Sequence, residues 1–177
     1  MRRTAAETRE HILEVAHDLF YWHSIKGTGV DTIAAAAGVA PTTLYRLFAS
    51  KDDLVAAYVE RASRHYQAWF TAAVKKGGLL GVFDALIEQV QPDRCRGCPF
   101  LMAMAELPDA SAAAHQHAVA TKKWVREQIG VLAGDDTLAD HLTLVMEGVY
   151  ASVQSLGVDG PARQARGLAE AMITAAR

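Results

Sequence analysis

Apolar residues recur along this chain at intervals of three and four from near its start to near its end, the spacing of amphipathic helices. The strict alternation that marks half-buried strands is nearly absent. A first helix is predicted from about Thr4 to Tyr21, with Ile12, Ala16, Leu19 and Phe20 on one stripe. It stops before Gly27-Thr28-Gly29, a cluster of helix breakers. A short second helix, about Val30 to Ala37, turns Ile33 and Ala37 inward and ends at Gly38, a residue suited to a left-handed cap. A third runs from about Pro41 to Phe48. Proline fits a first helical turn because its missing N–H would have no partner there.

Ser50-Lys51-Asp52-Asp53 has the form of a capping box and opens a long fourth helix, with Leu54, Val55, Tyr58, Val59 and Ala62 on one side. That helix is expected to reach about Val74 and to break at Gly77-Gly78. Further helices are predicted near Leu79–Val90, Phe100–Glu106, Ala110–Leu132, Thr137–Leu156 and Pro161–Ala176, separated by Pro92–Pro99, Pro108-Asp109, Gly134-Asp135-Asp136 and Gly157–Gly160. The expectation is an all-α chain of about nine helices. Residues 1–50 would form a three-helix helix-turn-helix domain, and residues 51–177 a helical ligand-binding and dimerisation domain.

The third helix separates two chemistries. At 100° per residue and with Thr42 as zero, Arg46 falls near +40°, Thr43 near +100° and Tyr45 near −60°. Leu44, Leu47 and Phe48 fall on the far side, between about 140° and 240°. Short hydroxyls in the first turn with a cation beside them are what a helix needs to meet base edges and phosphates. Lys51, at the start of the next helix, adds a cation where free N–H groups already favour an anion. Arg2 and Arg3 are expected to form a basic arm.

Composition does not reinforce this picture. The 177 residues carry a formal net charge of −2, and residues 1–66 hold eight Lys/Arg against eight Asp/Glu. DNA binding would have to come from where charge is placed. An apolar content of 51% supports a sizeable core. Two cysteines are too few for a disulfide framework, and no segment approaches the roughly 20 apolar residues of a membrane span. A cytoplasmic protein without a membrane partner is expected.

The run Gly27-Thr28-Gly29-Val30-Asp31-Thr32-Ile33-Ala34-Ala35-Ala36-Ala37-Gly38-Val39 is followed by Thr43-Leu44-Tyr45-Arg46-Leu47-Phe48-Ala49-Ser50-Lys51-Asp52-Asp53-Leu54. Together they closely resemble the N-terminal domain of TetR-family regulators. The resemblance covers roughly residues 8–56. It implies a homodimer that binds a palindromic double-stranded operator and represses transcription until a small molecule enters the C-terminal domain. Thr42, Thr43, Tyr45 and Lys51 match places where the family commonly contacts DNA. Three positions depart from the pattern. Leu47 replaces a histidine that would reach a phosphate, and its helical angle turns it inward. Gly29 replaces a Ser or Thr cap, and Ala40 replaces a polar cap at a cost of about 1 kcal/mol.

In the segment Thr137–Leu156, the small residues Gly148, Ala151, Ser152 and Ser155 share a face, flanked by Leu138, Val145, Val149 and Leu156. The last helix places Ala165, Leu168, Ala169, Met172, Ile173 and Ala176 on a stripe. Two such helices per chain suit a four-helix dimer interface, or an internal core. The resemblance places an effector among helices four to eight, making Phe100, Met104, Trp124, Met146 and Tyr150 the ligand-lining candidates for a mostly apolar or aromatic molecule.

Cys95-Arg96-Gly97-Cys98 is a C-x-x-C flanked by arginines, which favour thiolate, so redox sensing is an alternative role. A zinc site would need His115 and His117, but two residues apart on a helix they point about 200° apart. No metal or other cofactor is expected. No local nucleophile–base signature suggests an enzyme, and the thiol-dependent oxidoreductase reading lacks the strands it would need. A helical ligand-binding dimer without DNA binding is the remaining alternative.

Overall fold

The computed structural model describes residues 3–91 and 93–176; Arg2 of the expected basic arm lies outside them. The described residues form eight α-helices and one 3-10 turn, with no strand among them. The helices are α1 Ala5–Trp22, α2 Val30–Ala36, α3 Pro41–Leu47, α4 Lys51–Gln89, α5 Pro99–Glu106, α6 Ala113–Ala133, α7 Asp136–Leu156 and α8 Ala165–Ala175. The ninth expected helix is the part of α4 beyond its kink: the helix breaks at Gly77 and Gly78, where the break was expected, with Gly78 at φ +61°. Two starts also differ from expectation. Asp109 folds back on Ser111, its carboxylate accepting from the Ser111 N–H at 2.8 Å, which delays α6 to Ala113. Pro161–Gln164 forms the 3-10 turn before α8.

The chain divides into two compact units. The first runs up to Ser63 and takes in Met102–Val119; the second comprises Arg64–Leu101 and Ala120 onward. A helix-turn-helix of residues 1–50 lies wholly within the first unit.

In the first unit, Thr4 and Glu7 cap α1 reciprocally: the Glu7 N–H donates to Thr4 Oγ1 and the Thr4 N–H to Glu7 Oε2. Ile12, Leu13, Ala16 and Phe20 of α1 are buried, as are Ile33 and Ala34 of α2. Gly38 takes φ +65°, the left-handed conformation that lets the chain turn from α2 into α3. Within α3 only Leu44 is fully buried. Phe48 ends the helix in extended conformation yet is itself buried, with the Arg9 guanidinium 5.0 Å from its ring centre. Leu47 is half-buried rather than fully inward.

The start of α4 is held by Ser50, whose Oγ accepts from the Asp53 N–H at 3.0 Å and donates to the Asp53 carboxylate at 2.8 Å. Leu54, Val55, Tyr58 and Val59 then enter the same core, Tyr58 packing on Phe20 at 5.3 Å between ring centres.

In the second unit the core is built by Phe70, Phe83 and Leu86 of α4, Val125 and Ile129 of α6, Leu142, Met146 and Tyr150 of α7, and Ala169 of α8. Past the α4 kink the chain approaches itself so closely that a Cβ on Gly81 would sit 2.7 Å from the Ala73 carbonyl oxygen. Only glycine fits there. Among the described residues, no helix is long and apolar enough to cross a membrane.

Candidate nucleic-acid interface and effector core

The α2–α3 turn and its neighbours set out the first candidate surface. Burial of Leu44 and Phe48 fixes which way α3 is rotated, and the polar residues between them face outward as a consequence. Thr42, Tyr45 and Arg46 are exposed, Tyr45 to 52%, and Thr43 is half-buried. Neither Gly29 nor Ala40 supplies a side-chain cap to the helix that follows it. Arg3, Thr8, Gly38, Thr43 and Arg46 line a concave notch of about 690 Å³. It brings two guanidinium-bearing residues together beside Thr43, a set suited to a phosphate, while the Thr8 hydroxyl donates to the Thr4 carbonyl at 2.8 Å. Thr8 is a member that α3 periodicity could not reveal, because it reaches the notch from α1.

Lys51 is half-buried at the head of α4, and its Nζ donates to the Lys26 carbonyl at 3.3 Å. The α1–α2 loop and the first turn of α4 thus hold one ammonium in a defined place. Lys26 itself had no sequence signal.

The effector candidates fall in both units. Phe100, Trp124, Met146 and Tyr150 belong to the second, and Met104 to the first. Within the second unit, Phe100, Met146 and Tyr150 are buried and Trp124 is half-buried. Phe100 meets Tyr66 edge-on at 5.4 Å, and Trp124 meets Phe70 in the same way at 5.5 Å. Trp124 also borders an open cleft of about 550 Å³ with Arg64, Gln67, Thr71 and Lys75.

Polar groups that periodicity does not flag lie in this core. The Tyr150 hydroxyl is 3.4 Å from that of Tyr66, and burial pushes both phenols above their usual range. Lys122 pairs with Glu147, and its Nζ also lies 3.7 Å from Cys98 Sγ. Glu147 has both carboxylate oxygens buried. The Cys98 thiol is itself buried; loss of solvation raises its pKa, against the opposing pull of the Lys122 ammonium. Cys95 is half-exposed, and its Sγ lies 3.8 Å from the Gly97 carbonyl oxygen. No three His, Cys, Asp or Glu side chains among the described residues are placed to hold a metal ion. His115 instead places Nδ1 2.7 Å from the Leu107 carbonyl oxygen.

Residues 12–58 match the model of the bacterial regulatory proteins of the tetR family. A TetR transcriptional regulator from Streptomyces avermitilis is 30% identical, the alignment covering 96% of this chain and 97% of that one, with a TM-score of 0.78. The chain belongs to the TetR family. SCO4454, a TetR-family transcriptional regulator from Streptomyces coelicolor, is 28% identical over 96% of both chains and superposes with a TM-score of 0.90. An HTH-type transcriptional regulator of Staphylococcus aureus strain USA300 is 38% identical over 61 residues, which span 34% of this chain and 33% of the staphylococcal one. Members of the TetR family are DNA-binding transcriptional regulators, and this TetR-family chain carries the same all-helical fold with its N-terminal helix-turn-helix.

Proposed function

We propose that this TetR-family protein is a homodimeric transcriptional repressor that binds a palindromic duplex operator and is released by a small, mostly apolar or aromatic effector. The observation that carries the DNA reading is the division of α3: Leu44 is wholly buried while Thr42, Tyr45 and Arg46 stand exposed beside a notch lined by Arg3, Thr8 and Thr43. Thr43 and Arg46 read base edges, Thr42 and Tyr45 meet the backbone, and Lys51 anchors a phosphate. Residues 1–50 act as the DNA-binding domain and residues 51–177 as the effector-binding and dimerisation domain.

Homodimerisation is supported by the outer face of α7. Leu144, Gly148, Ala151 and Ser155 form an exposed row at helical spacing, with Leu144 69% and Leu156 61% exposed. On α8, Leu168 is 48% exposed. An apolar and small-residue strip of this kind lets two copies pack closely about a two-fold axis.

Among the effector candidates Phe100, Met104, Trp124, Met146 and Tyr150, the aromatic packing around Tyr66 and Phe70 supports Phe100, Trp124 and Tyr150, and a structural neighbour supports the effector reading in general. EbrR, 21% identical, was crystallised as a multidrug binding protein with malachite green. The redox alternative through Cys95 and Cys98 gains nothing from the buried Cys98, whose raised pKa keeps it a thiol.

The test is a mobility shift with duplexes recovered from a randomised library by the protein itself, repeated at two salt concentrations. Specific binding that weakens steeply with salt is the expected result, because each neutralised phosphate releases counterions. Failure to recover any duplex refutes the DNA reading in favour of a ligand-binding dimer.

A further inference from the structure

The α1–α2 loop is organised by a carboxylate eighty residues away in the chain. Glu106, the last residue of α5, accepts through Oε2 from the Ser24 hydroxyl at 2.6 Å and from the Lys26 N–H at 3.0 Å. The same Ser24 oxygen accepts from the Gly27 N–H at 3.0 Å. Lys26, tied to Glu106 through its N–H, offers its carbonyl to Lys51 Nζ at 3.3 Å. All of these residues lie in the first compact unit.

Two physical features mark the arrangement as imposed rather than incidental. Ser24 holds φ at +155°, the one positive φ among non-glycine described residues, a conformation that persists only where its surroundings enforce it. Glu106 also sits at the C-terminal end of its helix, where the helix dipole disfavours a negative charge. Its own helix therefore does not explain the carboxylate, whereas the donors on the loop do, and a charged acceptor makes those bonds strong.

We propose that Glu106 is a positioning residue for DNA binding: by fixing the 24–27 loop it holds the carbonyl that seats the Lys51 ammonium. The proposal rests on the functional reading above, in which Lys51 is a phosphate anchor. α5 also carries Phe100 and Met104, so the helix named for effector contact ends in the residue that orders this loop. A change at the end of α5 that withdraws the carboxylate frees the Lys26 carbonyl and lets the Lys51 side chain wander.

The experiment compares Glu106→Ala, Lys51→Ala and the double variant on a duplex recovered from a randomised library by the wild type, by fluorescence anisotropy across several salt concentrations. Lys51→Ala should weaken binding about tenfold and flatten the salt dependence by about one phosphate per protomer. Glu106→Ala should weaken binding several-fold with a similar flattening, and the double variant should bind like Lys51→Ala alone. Glu106→Gln, which keeps an acceptor, should fall between Glu106→Ala and wild type.

Losses that simply multiply in the double variant overturn the proposal, since a residue acting through Lys51 has nothing left to affect once Lys51 is gone. A second readout needs no DNA. Acetylation of Lys51, followed by mass spectrometry against Lys75 and Lys123 in the same sample, should quicken in Glu106→Ala and in Ser24→Ala. An unchanged Lys51 rate in both folded variants overturns the linkage. A wild type that recovers no duplex refutes the functional reading and the phosphate role with it; the labelling separates that failure from failure of the Glu106–Lys51 linkage.

Discussion

Leu44→Ala should disable the recognition helix more than any other single truncation within it. Leu44 is 0% exposed and is the one fully buried residue of the seven in α3. A helix of seven residues has almost no stability of its own and depends on what its apolar face packs against. The substitution removes three carbon atoms from water-free surroundings, worth about 2.4 kcal/mol at roughly 0.8 kcal/mol per methylene. Incomplete collapse of the resulting cavity brings the expected total to between about 2 and 5 kcal/mol. Leu47→Ala, at a half-buried position, should cost only about 1 kcal/mol. Urea unfolding at fixed protein concentration, followed by far-UV circular dichroism, measures both. Equal costs for the two variants, or a cost below about 1 kcal/mol for Leu44→Ala, would refute the view that α3 hangs on this single side chain.

Arg46→Ala and Thr43→Ala should each change which duplexes a randomised library yields, by about 1–3 kcal/mol of lost discrimination at a contacted base pair; weakening that is uniform across all sequences would reassign both to the backbone. Leu144→Glu, on the exposed row of α7, should shift the protein from dimer to monomer in light scattering at micromolar concentration, and an unchanged mass would place the interface elsewhere. At pH 8, iodoacetamide should alkylate Cys95 faster than Cys98. The raised pKa of Cys98 leaves less thiolate at any given pH below it, so its own labelling should quicken as pH rises; faster labelling of Cys98 than of Cys95 at pH 8 would contradict the desolvation reading.

Periodicity alone was enough for the helical register. Ile12, Ile33 and Leu44 were legible as inward-facing because each lies on an apolar stripe, and all three are fully buried. Gly38 was legible as a left-handed turn because few other residues tolerate that backbone. Boundaries were less legible where a local hydrogen bond competes with the helix, as at Asp109–Ser111 ahead of α6. Leu47, inward by its angle, is only half-buried because α3 ends there and Phe48 leaves the helical path to take the buried position.

What the sequence determined by itself was therefore everything that depends on near neighbours: helix faces, caps, breaks, and the polar strip of α3 together with the family motif that contains it. What the tertiary structure decided was which distant residues share a site. Thr8 reaches the notch of Thr43 and Arg46 from another helix, Lys122 pairs with Glu147 across 25 positions, and Glu106 orders a loop that begins at Ser24. A 3.6-residue repeat records only which way a side chain points from its own helix. Which groups it meets depends on how the helices pack, and each of these three contacts joins helices or loops whose separate patterns carry no trace of the other.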